Sequence, residues 1–196
     1  MKSSHLRSLA ALLAGVGLAA CGGTAEFEVK GTLLGLTNQG LVLSQAGSTI
    51  SPAANATAFA FPAKIDYGNT FDVLITAQPA HQTCSIIRGS RGTAGQTASI
   101  EVSIGCVQNS YTLGGTISGL TGAGLELANG SAPGTVIALP NATKFVFPAQ
   151  VFDGASYSVA VLKQPAGLTC SVSNGTAIMK DAAVANIAVG CAPTPP

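Results

Sequence analysis

Along most of this chain apolar and polar residues alternate with a period of two. In the run 57–61, TAFAF, Phe59 and Phe61 lie two apart, so both fall on one face of an extended chain. Phe145 and Phe147 repeat the arrangement in the run 143–147. The stretches 71–79, FDVLITAQP, and 157–165, YSVAVLKQP, alternate similarly and end at a proline. Proline supplies no N–H to a strand ladder and closes the strand. Runs of this kind return about every 8–12 residues, parted by Gly, Asn, Ser and Pro, which is the spacing of a small β-sandwich. Beyond residue 20 no helical stripe with caps is present. The pattern predicts an all-β protein.

The pattern is also duplicated. NATAFAFPA at 55–63 matches NATKFVFPA at 141–149, an offset of 86. At the same offset Gly68 meets Gly154, Phe71 meets Tyr157 and Val73 meets Val159. Gln78-Pro79 likewise meets Gln164-Pro165, and Cys84 meets Cys170. Upstream, Gly31, Leu36, Leu41 and Leu43 correspond to Gly115, Leu120, Leu125 and Leu127 at an offset of 84. Downstream, Ile104-Gly105-Cys106 corresponds to Val189-Gly190-Cys191 at 85. Small shifts of offset are loop insertions. The expected architecture is two tandem small immunoglobulin-like β-sandwich domains, each of about seven strands. They are placed at 28–107 and 111–192, with a short joint at 108–110 and a tail at 193–196.

Five cysteines are present, an odd number. Four of them, Cys84, Cys106, Cys170 and Cys191, occupy matching places in the two copies. Four cysteines allow three pairings, and the duplication selects Cys84–Cys106 and Cys170–Cys191. Each bridge is expected to bracket a hairpin of the last two strands, with Lys180-Asp181 at the turn in copy two. A loop of about 22 residues closed in this way contributes about 3 kcal/mol in the chain-entropy account. That helps a domain of about 80 residues, whose core is small. Zinc sites and redox dithiols use close C-x-x-C pairs, and none occurs here.

The fifth cysteine, Cys21, follows Lys2, Arg7 and the uncharged stretch 9–20. About a dozen apolar residues cannot cross a bilayer core of about 30 Å, and the order is that of a secretory signal. Leu18-Ala19-Ala20-Cys21 resembles the lipobox of bacterial lipoproteins. That resemblance implies a signal peptide at 1–20 that is removed. It also implies a diacylglyceryl thioether on Cys21, an acylated (palmitate-type) N-terminus, and a tether at 21–27. More than one acyl chain gives stable membrane attachment. Gly22, rather than aspartate, after the cysteine implies the outer membrane of a Gram-negative bacterium. The export route makes disulfides chemically reasonable.

The repeat as a whole resembles a unit found in bacterial lipoproteins and other exported proteins, and more loosely immunoglobulin-like and prealbumin-like sandwiches. In copy two the resemblance rests on Gly115, Gly119-Leu120, Gly124-Leu125, Phe145, Phe147, Gly154, Tyr157, Gln164-Pro165, Cys170, Asn174-Gly175 and Cys191. Copy one departs from it at Phe71 and at Arg88-Gly89, matched with Asn174-Gly175. The resemblance implies a fold and an address, and it brings no catalytic residues.

Composition narrows the function further. Without Lys2 and Arg7, seven basic residues face eight acidic ones, so nothing attracts nucleic acid. One histidine remains, His81, in a loop before Cys84, where copy two has Gly167. No nucleophile elbow, catalytic triad, metal set or cofactor motif is found, and no enzyme activity is expected. The most unusual loop holds Arg88 and Arg91 among glycines; it reads first as a soluble turn, and as a weak candidate for holding a phosphate or a sugar acid. The asparagine of Asn-x-Thr runs such as Asn55-Ala56-Thr57 is expected in a turn, because asparagine tolerates left-handed backbone. Phe27, Tyr67, Tyr111 and Phe152 are the aromatics outside the shared core positions. The expected role is a lipid-anchored structural or interaction protein of the cell envelope, its partners the membrane through Cys21 and an envelope protein or glycan. Glycan binding is the alternative, and an enzyme built around His81 and carboxylates a third.

Overall fold

A computed structural model describes residues 24–130 and 134–195, so Cys21 and the expected signal lie outside the described residues. Among those described, every regular element is a strand. The first half holds β1 (Glu26–Phe27), β2 (Val29–Leu34), β3 (Val42–Gln45), β4 (Ser48–Ile50) and β5 (Ala58–Ala60). It continues with β6 (Ile65–Asp66), β7 (Thr70–Ala77), β8 (Gln82–Arg88), β9 (Arg91–Thr93) and β10 (Ile100–Gln108). The second half repeats the order as β11 (Ser110–Tyr111), β12 (Leu113–Ser118), β13 (Leu125–Asn129), β14 (Thr135–Ala138) and β15 (Lys144–Val146). Then follow β16 (Val151–Phe152), β17 (Ser156–Lys163), β18 (Leu168–Ser173), β19 (Thr176–Ile178) and β20 (Val184–Pro193).

In each half two four-stranded sheets face one another. The sheets are β5-β2-β10-β8 over β4-β3-β7-β9, and β15-β12-β20-β18 over β14-β13-β17-β19. The ribbons β1-β6 and β11-β16 complete the two sandwiches. Alternation drives this: β10 buries Ile100, Val102, Ile104 and Cys106 and turns Glu101, Ser103 and Gly105 outward. Val29, Leu33 and Ile104 from one sheet meet Leu43 and Val73 from the other in the first core. Leu113, Leu125, Leu127 and Ile187 do the same in the second. Each such side chain contributes about 1.5–3 kcal/mol on burial. Phe59 and Phe61 share the core face at 6.0 Å, edge to face, and Phe145 and Phe147 do so at 5.9 Å. That is the favoured aromatic geometry.

The first and last long strands of each half, β2 with β10 and β12 with β20, pair parallel. A close approach goes with this pairing. A Cβ at Gly31 would run into the Val102 carbonyl oxygen, and one at Gly115 into that of Ile187, which explains the repeated glycine. Asn55 and Asn141 adopt φ of 62° and 61°, as turn asparagines should.

Both disulfides form within their own half, Cys84 to Cys106 and Cys170 to Cys191. They do not bracket hairpins, however. The chain between the bridged strands β8 and β10 crosses to the opposite sheet, where β9 pairs with β7. β19 makes the same excursion to β17, and Lys180-Asp181 lies on the return. Three-residue strands such as β4, β5 and β9 are too short to show a period of two. Hence each sandwich has eight strands plus a ribbon rather than about seven strands. The expected tether also gives way at its end: Glu26 and Phe27 pair with Asp66 and Ile65, and Phe27 packs on the first core. β20 similarly runs to Pro193, into the expected tail.

Candidate functional site

The copies differ most tellingly where they meet. His81 sits in the turn between β7 and β8 with a left-handed φ of 60°, a conformation costly for most residues but tolerated by histidine. Its counterpart Gly167 has φ of 71° and no side chain. Asp153, just after β16, stands where copy one has Tyr67. His81 Nδ1 lies 3.0 Å from Asp153 Oδ1, with the imidazole half-exposed and the carboxylate buried. The backbone closes the seam around them. Asn109 N donates to the His81 carbonyl at 3.0 Å, and Asp153 N donates to the Asn109 carbonyl at 2.9 Å. Gln108 Nε2 donates to the Asp153 carbonyl at 3.0 Å, and Thr83 Oγ1 to Asn109 Oδ1 at 2.7 Å. Two residues that break the repeat thus touch each other across the joint. Sequence reasoning singled out His81 but passed over Asp153, whose signal was the mismatch with Tyr67 at the repeat offset.

The pair and the backbone bonds around it tie the turn before β8 to the loop after β16. Five concavities on the described residues are lined by side chains other than His81 and Asp153. Among the same residues no three His, Cys, Asp or Glu side chains gather where a metal ion would sit.

A concavity of about 800 Å³ lies on the outer face of β5-β2-β10-β8 and takes in Lys30, Thr32, Ala58, Ala60, Arg88, Glu101 and Ser103. Alternation turns Lys30, Thr32, Glu101 and Ser103 outward. Parallel pairing then sets Lys30 beside Glu101 and Thr32 beside Ser103. The hydroxyls of Thr32 and Ser103 are 3.2 Å apart. Arg88 stands opposite Ser103 on the other side of β10. Arg91 belongs to the opposite sheet, facing Asp72 across β7 and β9, and lines different concavities. The two arginines that the loop suggested as a pair therefore separate. Strand register also shifts the match between copies by one: Arg88 opposes Ser103 as Ser173 opposes Ala188, so Ser173 is its counterpart. Of the four aromatics outside the shared positions, Phe27 and Tyr111 pack on the cores, while Tyr67 and Phe152 are exposed.

These features define a class: two disulfide-closed β-sandwiches in tandem, meeting at a polar seam. No protein-family model matches the chain, and no curated protein matches it. Among solved structures it is similar to the Bacillus anthracis TIE protein, with 13% identity and a TM-score of 0.49 over 84% of this chain and 34% of that one. It thus spans about a third of the TIE chain's length. A C-terminal fragment of pilus adhesin SpaC from Lactobacillus rhamnosus GG shares 10% identity at a TM-score of 0.45, over 86% of this chain and 99% of the fragment. The shaft pilin SpaA of the same bacterium shares 12% identity at 0.30, over 88% and 100% of the two chains.

Proposed function

We propose that this protein is a lipid-anchored, non-enzymatic spacer of the cell envelope, which holds two stapled sandwiches in a set orientation and offers their faces to envelope partners. The observation that carries this reading is the joint. Where two copies of one unit depart from each other, His81 and Asp153, the departure builds a contact between the halves. A chain of independent beads would have no use for that pair. The N-terminal residues support the address: Leu18 to Cys21 resembles a lipobox, and acyl chains on Cys21 would fasten the first sandwich a few residues from the bilayer.

The test is the full chain and its Cys21→Ser variant made in a Gram-negative host. The wild type should partition with outer membranes and show, by intact mass, loss of residues 1–20 and a triacylated Cys21. The variant should keep its signal and lose that mass. A wild-type protein released without added lipid would refute the anchor.

A further inference from the structure

The outer-face concavity of the first sandwich has no equivalent set of side chains in the second. Ala58 and Ala60 on the edge strand are replaced by Lys144 and Val146, which would fill the space. All three charged residues are replaced as well: Lys30 by Gly114, Arg88 by Ser173 and Glu101 by Asn186. The first face thus gathers three charges, Lys30, Arg88 and Glu101, where the equivalent positions of the second hold one, Lys144, at the edge. In a chain with only 9% charged residues the gathering is more notable still.

The cations are also uncommitted. Lys30 and Arg88 make no ion pair and no side-chain hydrogen bond among the described residues, although Glu101 is close enough to line the same space. Glu101 instead accepts from Ser99 Oγ at 3.5 Å. Two free donors, one carboxylate acceptor and the Thr32–Ser103 hydroxyl pair therefore face a volume in the range of about 300–1,000 Å³ typical of small-molecule sites.

From this set we infer that the concavity binds a saccharide carrying an anionic group. The forked guanidinium of Arg88 and the ammonium of Lys30 suit a carboxylate or phosphate. Glu101 and the two hydroxyls suit sugar hydroxyls, which both donate and accept. Ala58 and Ala60 give a flat apolar patch for the C–H face of a ring. Glu101 leaves the cleft with a net charge of about +1, which opposes a dense polyanion such as nucleic acid. An acidic peptide would pair its backbone at a sheet edge, whereas this cleft lies on a sheet face. The inference goes beyond the spacer reading and does not depend on the lipid, so either can fail alone.

The test is NMR titration of the full chain in mild detergent with trigalacturonate, its fully methyl-esterified form, glucose 6-phosphate and glucose. One acid should bind, shifting the amides of Thr32, Ala60 and Ser103 and leaving those of Thr116, Val146 and Ala188 unmoved. Its neutral counterpart should bind about tenfold or more weakly, and so should Lys30→Gln and Arg88→Gln, the expected loss of one charge-assisted contact. Both changed side chains are solvent-facing, and an unaltered spectrum elsewhere checks the fold. Which acid binds more tightly tells carboxylate from phosphate. The inference is overturned if neither acid binds or if the neutral forms bind equally. It is also overturned if the shifts fall on the second sandwich, or if the double variant binds undiminished.

Discussion

The side-chain amide of Gln78 meets the backbone of Cys84 at both of its ends: Cys84 N donates to Gln78 Oε1 at 2.7 Å, and Gln78 Nε2 donates to the Cys84 carbonyl at 3.0 Å. Gln164 holds Cys170 in the same way, at 2.7 and 2.9 Å. The amide behaves as a short piece of neighbouring strand along the free edge of β8 or β18. It also bears on the disulfide. In an antiparallel ladder a residue whose N–H and C=O point away from its partner strand belongs to the closer, non-hydrogen-bonded kind of pair. Cys84 and Cys106 form such a pair, with Cα atoms 3.9 Å apart, and Cys170 and Cys191 another at 4.0 Å. The repeated Gln-Pro and the repeated cysteine are therefore parts of one device. Glutamine satisfies the outward amide, and proline ends the strand that delivers it.

Replacing Gln78 by alanine leaves a part-buried N–H and C=O without partners, and each orphaned group costs about 1–3 kcal/mol. Gln78→Ala should lower the unfolding free energy of the first sandwich by about 2 kcal/mol or more. Gln78→Glu, which keeps the shape but loses the donor, should fall in between at neutral pH. Urea denaturation followed in the first half reads both, and unchanged midpoints would show that water replaces the amide freely.

Reduction should act on each half separately. Sequence separations of 22 and 21 residues put the loss near 3 kcal/mol per bridge in the chain-entropy account. Paired serine replacements at Cys84 and Cys106 should destabilise the first sandwich by about that amount and leave the melting of the second within about 0.5 kcal/mol. Differential scanning calorimetry separates the two transitions. A loss spread over both halves would mean the cores are not independent.

His81→Gly copies the second sandwich's own solution at that turn. Removing the left-handed side chain relieves backbone strain, but the buried Asp153 carboxylate loses its partner, so stability should fall by about 1–3 kcal/mol less whatever strain is relieved. Orientation should change as well. Residual dipolar couplings of the wild type should fit one alignment tensor for both halves, and those of His81→Gly or Asp153→Ala should need two. A single tensor for all three proteins would show that the backbone bonds around Asn109 suffice.

Gly31→Val and Gly115→Val each place a branched side chain against a carbonyl of the parallel neighbour strand. Each should cost about 2–3 kcal/mol or prevent folding of its own half, because the β2–β10 or β12–β20 pairing must open. Proteolysis of the variant, with the intact half isolated and identified by mass, tests which half was lost.

The reading from sequence was sound where a residue's role depends on its near neighbours. Phe59 with Phe61, or Leu125 with Leu127, declares a buried face by spacing alone, and Asn55 declares a turn by its tolerance of positive φ. It fell short where a role depends on a strand brought from afar. The three residues of β9 carry no periodic signal, so the crossing to the other sheet is not legible in the chain and the cysteine spacing suggests hairpins instead. Arg88 and Arg91, three apart in the chain, part because the turn between them changes sheets.

What the chain alone determined was local and repetitive: extended segments, a duplicated unit, and disulfides paired within each copy. Period-two patterning and matched spacing act over a few residues, or between copies of the same text, and so can be read without coordinates. Only the tertiary structure decided that first and last strands run parallel, that a glutamine serves as edge partner to a cysteine, that His81 finds Asp153, and that Lys30 and Arg88 share a cleft. Each of those depends on register between distant strands. Register is set by the collective packing of two sheets, in which a slip of one residue would turn every side chain to the wrong face.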